Sequence, residues 1–340
     1  MGSVKDLEII KQPSDKTGIG RFHFSDRYSV FDFGEMPDLL ENKGKALCIL
    51  SAHFFELLEK RGIGTHYIGL VENGIVKRLD EISDPVSVME VRLVNVHRPK
   101  KTESGYDYSI FQRLKGNFLI PLEIIYRNSL PEGSSVFRRL KRGELRLEDL
   151  GLDTMPDPGQ RLERPIVDFS TKLEDVDRYL SREEARRISG LSDKEFEKLI
   201  KLTMTIDDLI TREVEKAKIF NEDGKIEVAF DENREFMVVD ALGTPDECRF
   251  SFSGIEMSKE VLRRYYRRTD WYRRVEKSKG EGDWRKVVGK PPELPESLKK
   301  AVEEMYMSAC NEITDRKFFD SPSLKDVMRM ISEFMEVYDG

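Results

Sequence analysis

Residues 117–128 (NFLIPLEIIYRN) are apolar enough for a buried strand, yet Pro121 interrupts them. A proline donates nothing to a β-ladder and is confined to edges, ends and crossovers. The interruption predicts a crossing between two lobes rather than one central strand. The flanking patterns agree. Residues 20–34 alternate apolar and polar positions ahead of Gly34, a hairpin-like signal, and 66–74 and 86–99 read as further strands. Residues 43–63 turn helical, with Ala46, Ile49, Leu50, His53, Phe54, Leu57 and Leu58 on one face and Gly62 as a stop. The polar stretch 98–116 predicts an exposed excursion.

Beyond the crossing, 131–163 is rich in charge, Gly and Pro and predicts loops with one short helix. Ser192 and Glu195 form a capping-box pattern. Phe196, Leu199, Ile200, Thr203, Ile206, Ile210 and Val214 then keep a 3.6-residue rhythm to about Lys218. Residues 259–277 predict one basic helix and 280–295 a linker with three prolines. Two amphipathic helices close the chain, packed outside or mediating a dimer. The expected class is α+β. It divides into a β-rich nucleotide lobe (1–119), an α/β substrate and metal lobe (120–278) and a linker with a helical appendage (279–340).

Several classes are disfavoured. No apolar run approaches the roughly 20 residues of a membrane helix. The opening MGSVKDLEIIKQ lacks the apolar core of a secretion signal. Cys48, Cys248 and Cys310 are isolated, without zinc spacing, and fit a reducing compartment. Basic and aromatic residues interleave over 263–290, but the net charge of −7 argues against nucleic acid. A cytoplasmic protein with neither membrane nor nucleic-acid partner is expected, as a monomer or a homo-oligomer. His23, His53, His66 and His97 never reach metal-ligand spacing and read as packing or surface residues.

The chemistry concentrates in 219–250. Asp223, Lys225 and Glu227 alternate along one β-run and so share a face. Asp240 ends the next apolar run, and a Thr-Pro-Asp turn then delivers Arg249. Glu227 and Asp240 on adjacent strands suit Mg²⁺ on a nucleotide, which takes one or two carboxylates. Lys225 would offset charge during phosphoryl transfer. By spacing alone, the same residues serve equally as a solvated strand face. Further candidates are Lys172 and Asp177 in STKLEDVD, Arg127 with Ser134 or Ser135 in RNSLPEGSS, and Asp32 in the DRYSVFD strand. Lys11 and the glycines of KTGIG, Gly18 and Gly20, sit at a turn between the first two strands where a phosphate fits, although no Walker pattern is present. Each of these also has a plain structural use as a cap, a turn or an edge ion pair.

Taken in order over residues 8–275, these blocks resemble the SAICAR synthetase family of purine biosynthesis. The motifs are DRYSVFD, Lys43-Gly44, GIGTH (62–66), PLEIIYR with EGSS, STKLEDVD, Asp223-x-Lys225-x-Glu227, DALGTPDECR and Lys259 with Arg263. The resemblance implies a two-lobed fold, an N-terminal antiparallel β lobe plus a second lobe and C-terminal helices. It also implies ATP-dependent ligation of L-aspartate to carboxyaminoimidazole ribotide (CAIR) through an acyl phosphate. Glu227 and Asp240 would then hold Mg²⁺ on ATP, Lys225 and Lys172 would contact phosphates or ribose, and Lys11 with the 17–20 turn would cover the triphosphate. Arg127, Ser134 or Ser135, Arg249 and Arg263 would bind the ribotide, with Asp32 also at the substrate. Asp223 and Asp177 would lie beside the reacting amine, and backbone at 120–122 would receive adenine. Ala241, Val228-Ala229, the altered phosphate loop and the tail beyond 280 depart from the family pattern. They leave two alternatives, a divergent small-molecule kinase and a non-catalytic nucleotide-binding relative.

Overall fold

The structure, a computed structural model, describes residues 4–279 and 282–339. Strands β1 (Lys5–Lys11) and β2 (Gly18–Phe24) open the first lobe, followed by helix α1 (Lys43–Lys60) and strands β3 (Tyr67–Glu72), β4 (Ile75–Lys77) and β5 (Val88–Leu93). They form an antiparallel sheet in the order β1-β2-β5-β3-β4. A hairpin of β6 (Lys100–Thr102) and β7 (Gly105–Asp107) is the polar excursion.

The expected crossing at Pro121 is not where the chain changes sheet: Pro121 only separates β8 (Phe118–Leu119) from β9 (Leu122–Ser129), and both strands belong to the second sheet. Helix α2 (Ser135–Lys141), β10 (Arg161–Thr171), β11 (Tyr179–Leu180), α3 (Arg182–Ser189) and α4 (Asp193–Lys216) follow. The capping box at Ser192 and Glu195 is formed, and α4 buries Phe196, Leu199, Ile206 and Ile210. Next come β12 (Ile219–Phe230), β13 (Phe236–Val239), β14 (Cys248–Phe252) and β15 (Ile255–Glu256). The second sheet runs β11-β10-β9-β12-β14-β15, and the far half of β12 pairs with β8 and β13. Its pairings are antiparallel. Gly224 is required at the centre of β12, because a Cβ there would overlap the Tyr126 hydroxyl. Two isolated bridges, Thr65 with Val238 and Asn95 with Phe118, tie the lobes together.

The last helices are α5 (Glu260–Tyr266), α6 (Asp270–Ser278), α7 (Trp284–Val288), α8 (Glu296–Thr314) and α9 (Leu324–Asp339). The expected single basic helix over 259–277 is two helices. Thr269 stops one and caps the next, its hydroxyl accepting the Tyr272 N–H at 3.2 Å. The expected linker carries α7; Gly280 and Glu281 lie outside the described residues. The expected DRYSVFD strand is a loop. Phe31 (φ 56°) and Asp32 (φ 58°) are left-handed, a conformation no strand accepts. Its alternation has another cause: Phe31 and Phe33 pack on Tyr272, Trp271 and Trp284. Helix α1 buries more than the one face predicted, including Lys43, Cys48, Ser51 and Phe55. It lies between the first sheet and α8.

Candidate active site

The ladder registers assemble the site. Asp223 sits directly opposite Arg127 of β9 on one side and Arg249 of β14 on the other. Directly opposed cross-strand residues interact, and here they form ion pairs. Arg127 Nη1 donates to Asp223 Oδ2 at 3.1 Å and Arg249 Nε to Asp223 Oδ1 at 2.8 Å. Arg127 also donates to Asp168 at 3.1 Å, and Arg139 of α2 reaches the same carboxylate at 2.6 Å. Three arginines thus share two aspartates. Arg127 is 2% exposed, and its buried Nε has no partner among the described residues. Neither has the buried hydroxyl of Ser135, whereas the Ser134 Oγ accepts the Val136 N–H. Unpaired buried donors in a net-positive pocket call for an anionic oxygen ligand.

Two residues further along β12, the balance reverses. Lys225 Nζ lies 2.9 Å from Glu227, 3.3 Å from Glu123 and 3.2 Å from Glu247. Lys172 Nζ donates to Glu227 at 2.6 Å and to Glu123 at 3.3 Å. Asp240 follows Val239, the residue opposite Glu227, and is paired with Lys5. Three lysines face four carboxylates. Burial, joined by the charge of Asp240, pushes Glu227 up against the pull of Lys225 and Lys172. Burial would also raise Asp240, but Lys5, Lys225 and Lys172 hold it well below the usual carboxylate range. Burial would lower Lys225, yet Glu247, Glu227 and Glu123 keep it well above its ordinary value. A net-negative cluster of hard oxygens suits a divalent cation.

Asp240 is itself left-handed (φ 71°), and its carbonyl accepts the His66 ring N–H at 3.0 Å. Burial lowers His66 to about 3, so the ring is neutral and fixed as this donor. The turn that follows is seated on α1. Gly243 is left-handed, and a Cβ there would overlap the Phe54 ring.

Glu227 and Asp240 line a slot of about 420 Å³ between the lobes. Its walls include Leu7, Ile9, Phe22, Leu93, Val96 and Leu119. Leu7 and Ile9 are about half exposed, at 50% and 47%, an apolar surface ready for a flat ring. The backbone at 120–122 is already engaged. Ile120 N–H donates to Val228, Leu122 N–H to Ile120, and the Pro121 carbonyl accepts from Lys172. The 93–96 segment and Leu119 line the slot instead. A larger hollow of about 850 Å³ lies against Tyr108, Glu174, Arg178 and Arg187. There Glu174 and Glu184 already neutralise Arg178, and Glu184 also reaches Arg187.

Other expected residues fall outside these clusters. Lys11 is exposed at the end of β1. Gly18 and Gly20 lie within β2 rather than in the turn, and a Cβ on either would meet the β1 backbone. Asp32 is exposed and pairs with Lys279 at 2.7 Å. Arg263 pairs with Glu260 at 2.9 Å. Asp177 lies in the 172–178 loop. Part of it reaches the surface, but desolvation and then the nearby Glu123 carboxylate lift it to about 6. Sequence reasoning missed Glu123, Asp168, Glu247, Lys5 and Arg139. Glu123 and Asp168 carried a signal, a lone acid inside an apolar strand. Lys5 carried none.

Among the described residues, no helix is long and apolar enough to cross a membrane. Residues 13–278 match the SAICAR synthetase family. An Archaeoglobus fulgidus protein, provisionally assigned as a phosphoribosylaminoimidazole-succinocarboxamide synthase, is 62% identical over 99% of this chain and 100% of its own length. The Thermoplasma acidophilum phosphoribosylaminoimidazole-succinocarboxamide synthase is 34% identical over 87% of this chain and 93% of its own. Among solved structures, the Saccharomyces cerevisiae SAICAR synthase complexed with SAICAR superposes with TM-score 0.64 at 21% identity, covering 94% of this chain and 95% of that one. A SAICAR synthetase in complex with ADP gives 0.56 at 22% identity, covering 86% and 99%. At such identities the superpositions speak for the fold.

Proposed function

The chain belongs to the SAICAR synthetase family, whose reaction is the ATP-dependent joining of L-aspartate to CAIR, and we propose how its own residues carry that reaction. A carboxylate is a poor acyl donor because its leaving group would be oxide. Transfer of the ATP γ-phosphoryl to the CAIR carboxylate gives an acyl phosphate, and the aspartate amine then displaces phosphate. The protein must position the partners, offset charge and exclude water.

One observation carries the assignment of roles: β12 holds two ion networks of opposite imbalance on alternate residues. Asp223 belongs to the arginine-rich one, and Lys225 and Glu227 to the carboxylate-rich one. The first suits the anionic ribotide. Arg127, Arg249 and Ser135 are its ligands, with Ser134 shaping the turn and Arg263 nearby on α5. Asp223, held by both arginines, orients them. The second suits a metal–nucleotide. Adenine lies against Leu7, Ile9 and Leu119.

Among the described residues no three His, Cys, Asp or Glu side chains are grouped to hold a metal alone. Glu227 and Asp240 fit a cation that takes its other ligands from phosphate and water, as Mg²⁺ does. When bound, Mg²⁺ supplies charge neutralisation at the phosphates. Glu227 and Asp240 would hold the cation, and Lys5, Lys172 and Lys225, which neutralise those carboxylates, would face the phosphate oxygens. Asp177, poised near 6, accepts the proton of the incoming ammonium.

The test is a coupled assay with Mg-ATP, CAIR and aspartate. ADP is expected only when both acceptors are present, together with succinocarboxamide absorbance. ADP formed without aspartate would support the kinase alternative, and ATP binding without turnover the non-catalytic one.

A further inference from the structure

Helix α8 lies beyond the 13–278 segment that matches the family, yet one of its side chains reaches the 244–247 turn. Tyr306 is fully buried and donates to Asp246 Oδ1 at 2.7 Å. Lys43, at the start of α1, donates to Asp246 Oδ2 at 2.7 Å and to the Arg27 carbonyl at 3.2 Å. Its ammonium also stands 5.3 Å from the centre of the Tyr306 ring. Asp246 therefore has both oxygens fixed, one by each helix.

The next residue is Glu247. Its carbonyl accepts the Lys225 N–H at 3.0 Å, and its carboxylate lies 3.2 Å from the Lys225 ammonium. The turn is closed by Glu247 N–H and Cys248 N–H, both donating to the Thr244 carbonyl, at 3.1 and 2.8 Å. A rigid turn of this kind transmits the placement of Asp246 directly to Glu247. We infer that Tyr306 is a positioning residue: through Asp246 it sets the 244–247 turn so that Glu247 aims Lys225 at the phosphoryl group. The helices after the family segment are thereby part of the catalytic scaffold. The inference rests on the role given to Lys225 above.

Tyr306→Phe keeps the ring and its packing and removes only the donor. The expected result is a kcat at least tenfold lower, KM values for ATP and CAIR within about threefold, and a midpoint temperature within a few degrees of the parent. A purely structural tyrosine would lower the midpoint and leave kcat intact at temperatures well below it. Glu247→Gln is expected to show the same kcat defect. Because both act through one path, the double variant is expected to be no slower than Glu247→Gln alone. Additive losses, or a normal kcat in Tyr306→Phe, would overturn the inference. If Tyr306→Phe melts early, the same cycle is run well below its midpoint. A crystal structure of Tyr306→Phe reads the idea without any substrate: Glu247 should have left Lys225, and an unchanged contact would overturn it. Absence of turnover in the parent protein would instead count against the assigned reaction, leaving the crystallographic readout to decide this point.

Discussion

Asp223 stands directly opposite Arg127 in the β9–β12 ladder, and the two side chains are only 8% and 2% exposed. Removing one member of a buried ion pair leaves the other uncompensated, at about 3–5 kcal/mol. Arg127→Met leaves Asp223 to Arg249 and Asp168 to Arg139, so the loss, read by urea denaturation, is expected to fall below that scale. Arg249 is more open, its side chain 27% exposed, and shares Asp223 with Arg127. Arg249→Met is therefore expected to fold and to raise the KM for CAIR about 10- to 100-fold, the worth of one or two hydrogen bonds to a charged group. Equal effects on the KM for ATP would contradict the division into two networks.

Glu227 has Lys172 at 2.6 Å and Lys225 at 2.9 Å. Glu227→Gln keeps the shape and leaves Glu123 and Glu247 to compensate Lys225, so the fold should survive. Turnover is expected to fall by on the order of 10²–10³-fold, the cost of removing one preorganised electrostatic contact. Chelation of divalent ions should silence the parent protein, and added Mg²⁺ should restore it. Near-normal turnover of the variant would remove Glu227 from the metal site.

Asp177 is lifted to about 6, so a rate that needs its ionised form should climb through that pH. The acid limb of kcat/KM is expected near 6 in the parent and absent in Asp177→Asn, which should be slow throughout. A variant with an unchanged limb would assign the titration to another group.

Asp207 supplies a stability test away from the site. It is 2% exposed, with Asn128, Thr211 and Asn221 donating to it and, among the described residues, no cation paired with it. Burial raises it from 3.8 to about 6. The folded state binds its proton more tightly than the unfolded state does. Stability is therefore greatest below about pH 4 from this group and declines as pH rises through about 6, by about 3 kcal/mol. Asp207→Asn should remove that decline, and melting curves of the two proteins across this range will show whether it does.

Much of this architecture can be read from the residues alone. The Ser192–Glu195 box starts α4 where expected, and the alternation of Asp223, Lys225 and Glu227 is visible in the sequence, whereas Pro121, read as a crossing, only breaks β8 from β9 within one sheet. What is not visible depends on partners distant in the chain. The Phe31 and Phe33 alternation looks like a strand because sequence cannot show that Trp271 and Trp284 receive those rings. Lys43 looks like a solvated helix start until Asp246 and Tyr306, more than 200 residues away, enclose it. Lys5 has no neighbouring motif, and its meaning comes from Asp240 alone. Propensity and period report local geometry. Charge pairing across sheets is set by register, which no single segment contains.

The bridges at Thr65–Val238 and Asn95–Phe118 fasten the two sheets to each other. A body sewn along such a seam has little freedom to gape like a clam. Traffic of reactants must then run through the rim segments around 26–34 and 172–178, whose backbones stand outside both sheets. Pace of turnover in such an enzyme would be governed at its edges, and a crosslink across the seam should leave it working.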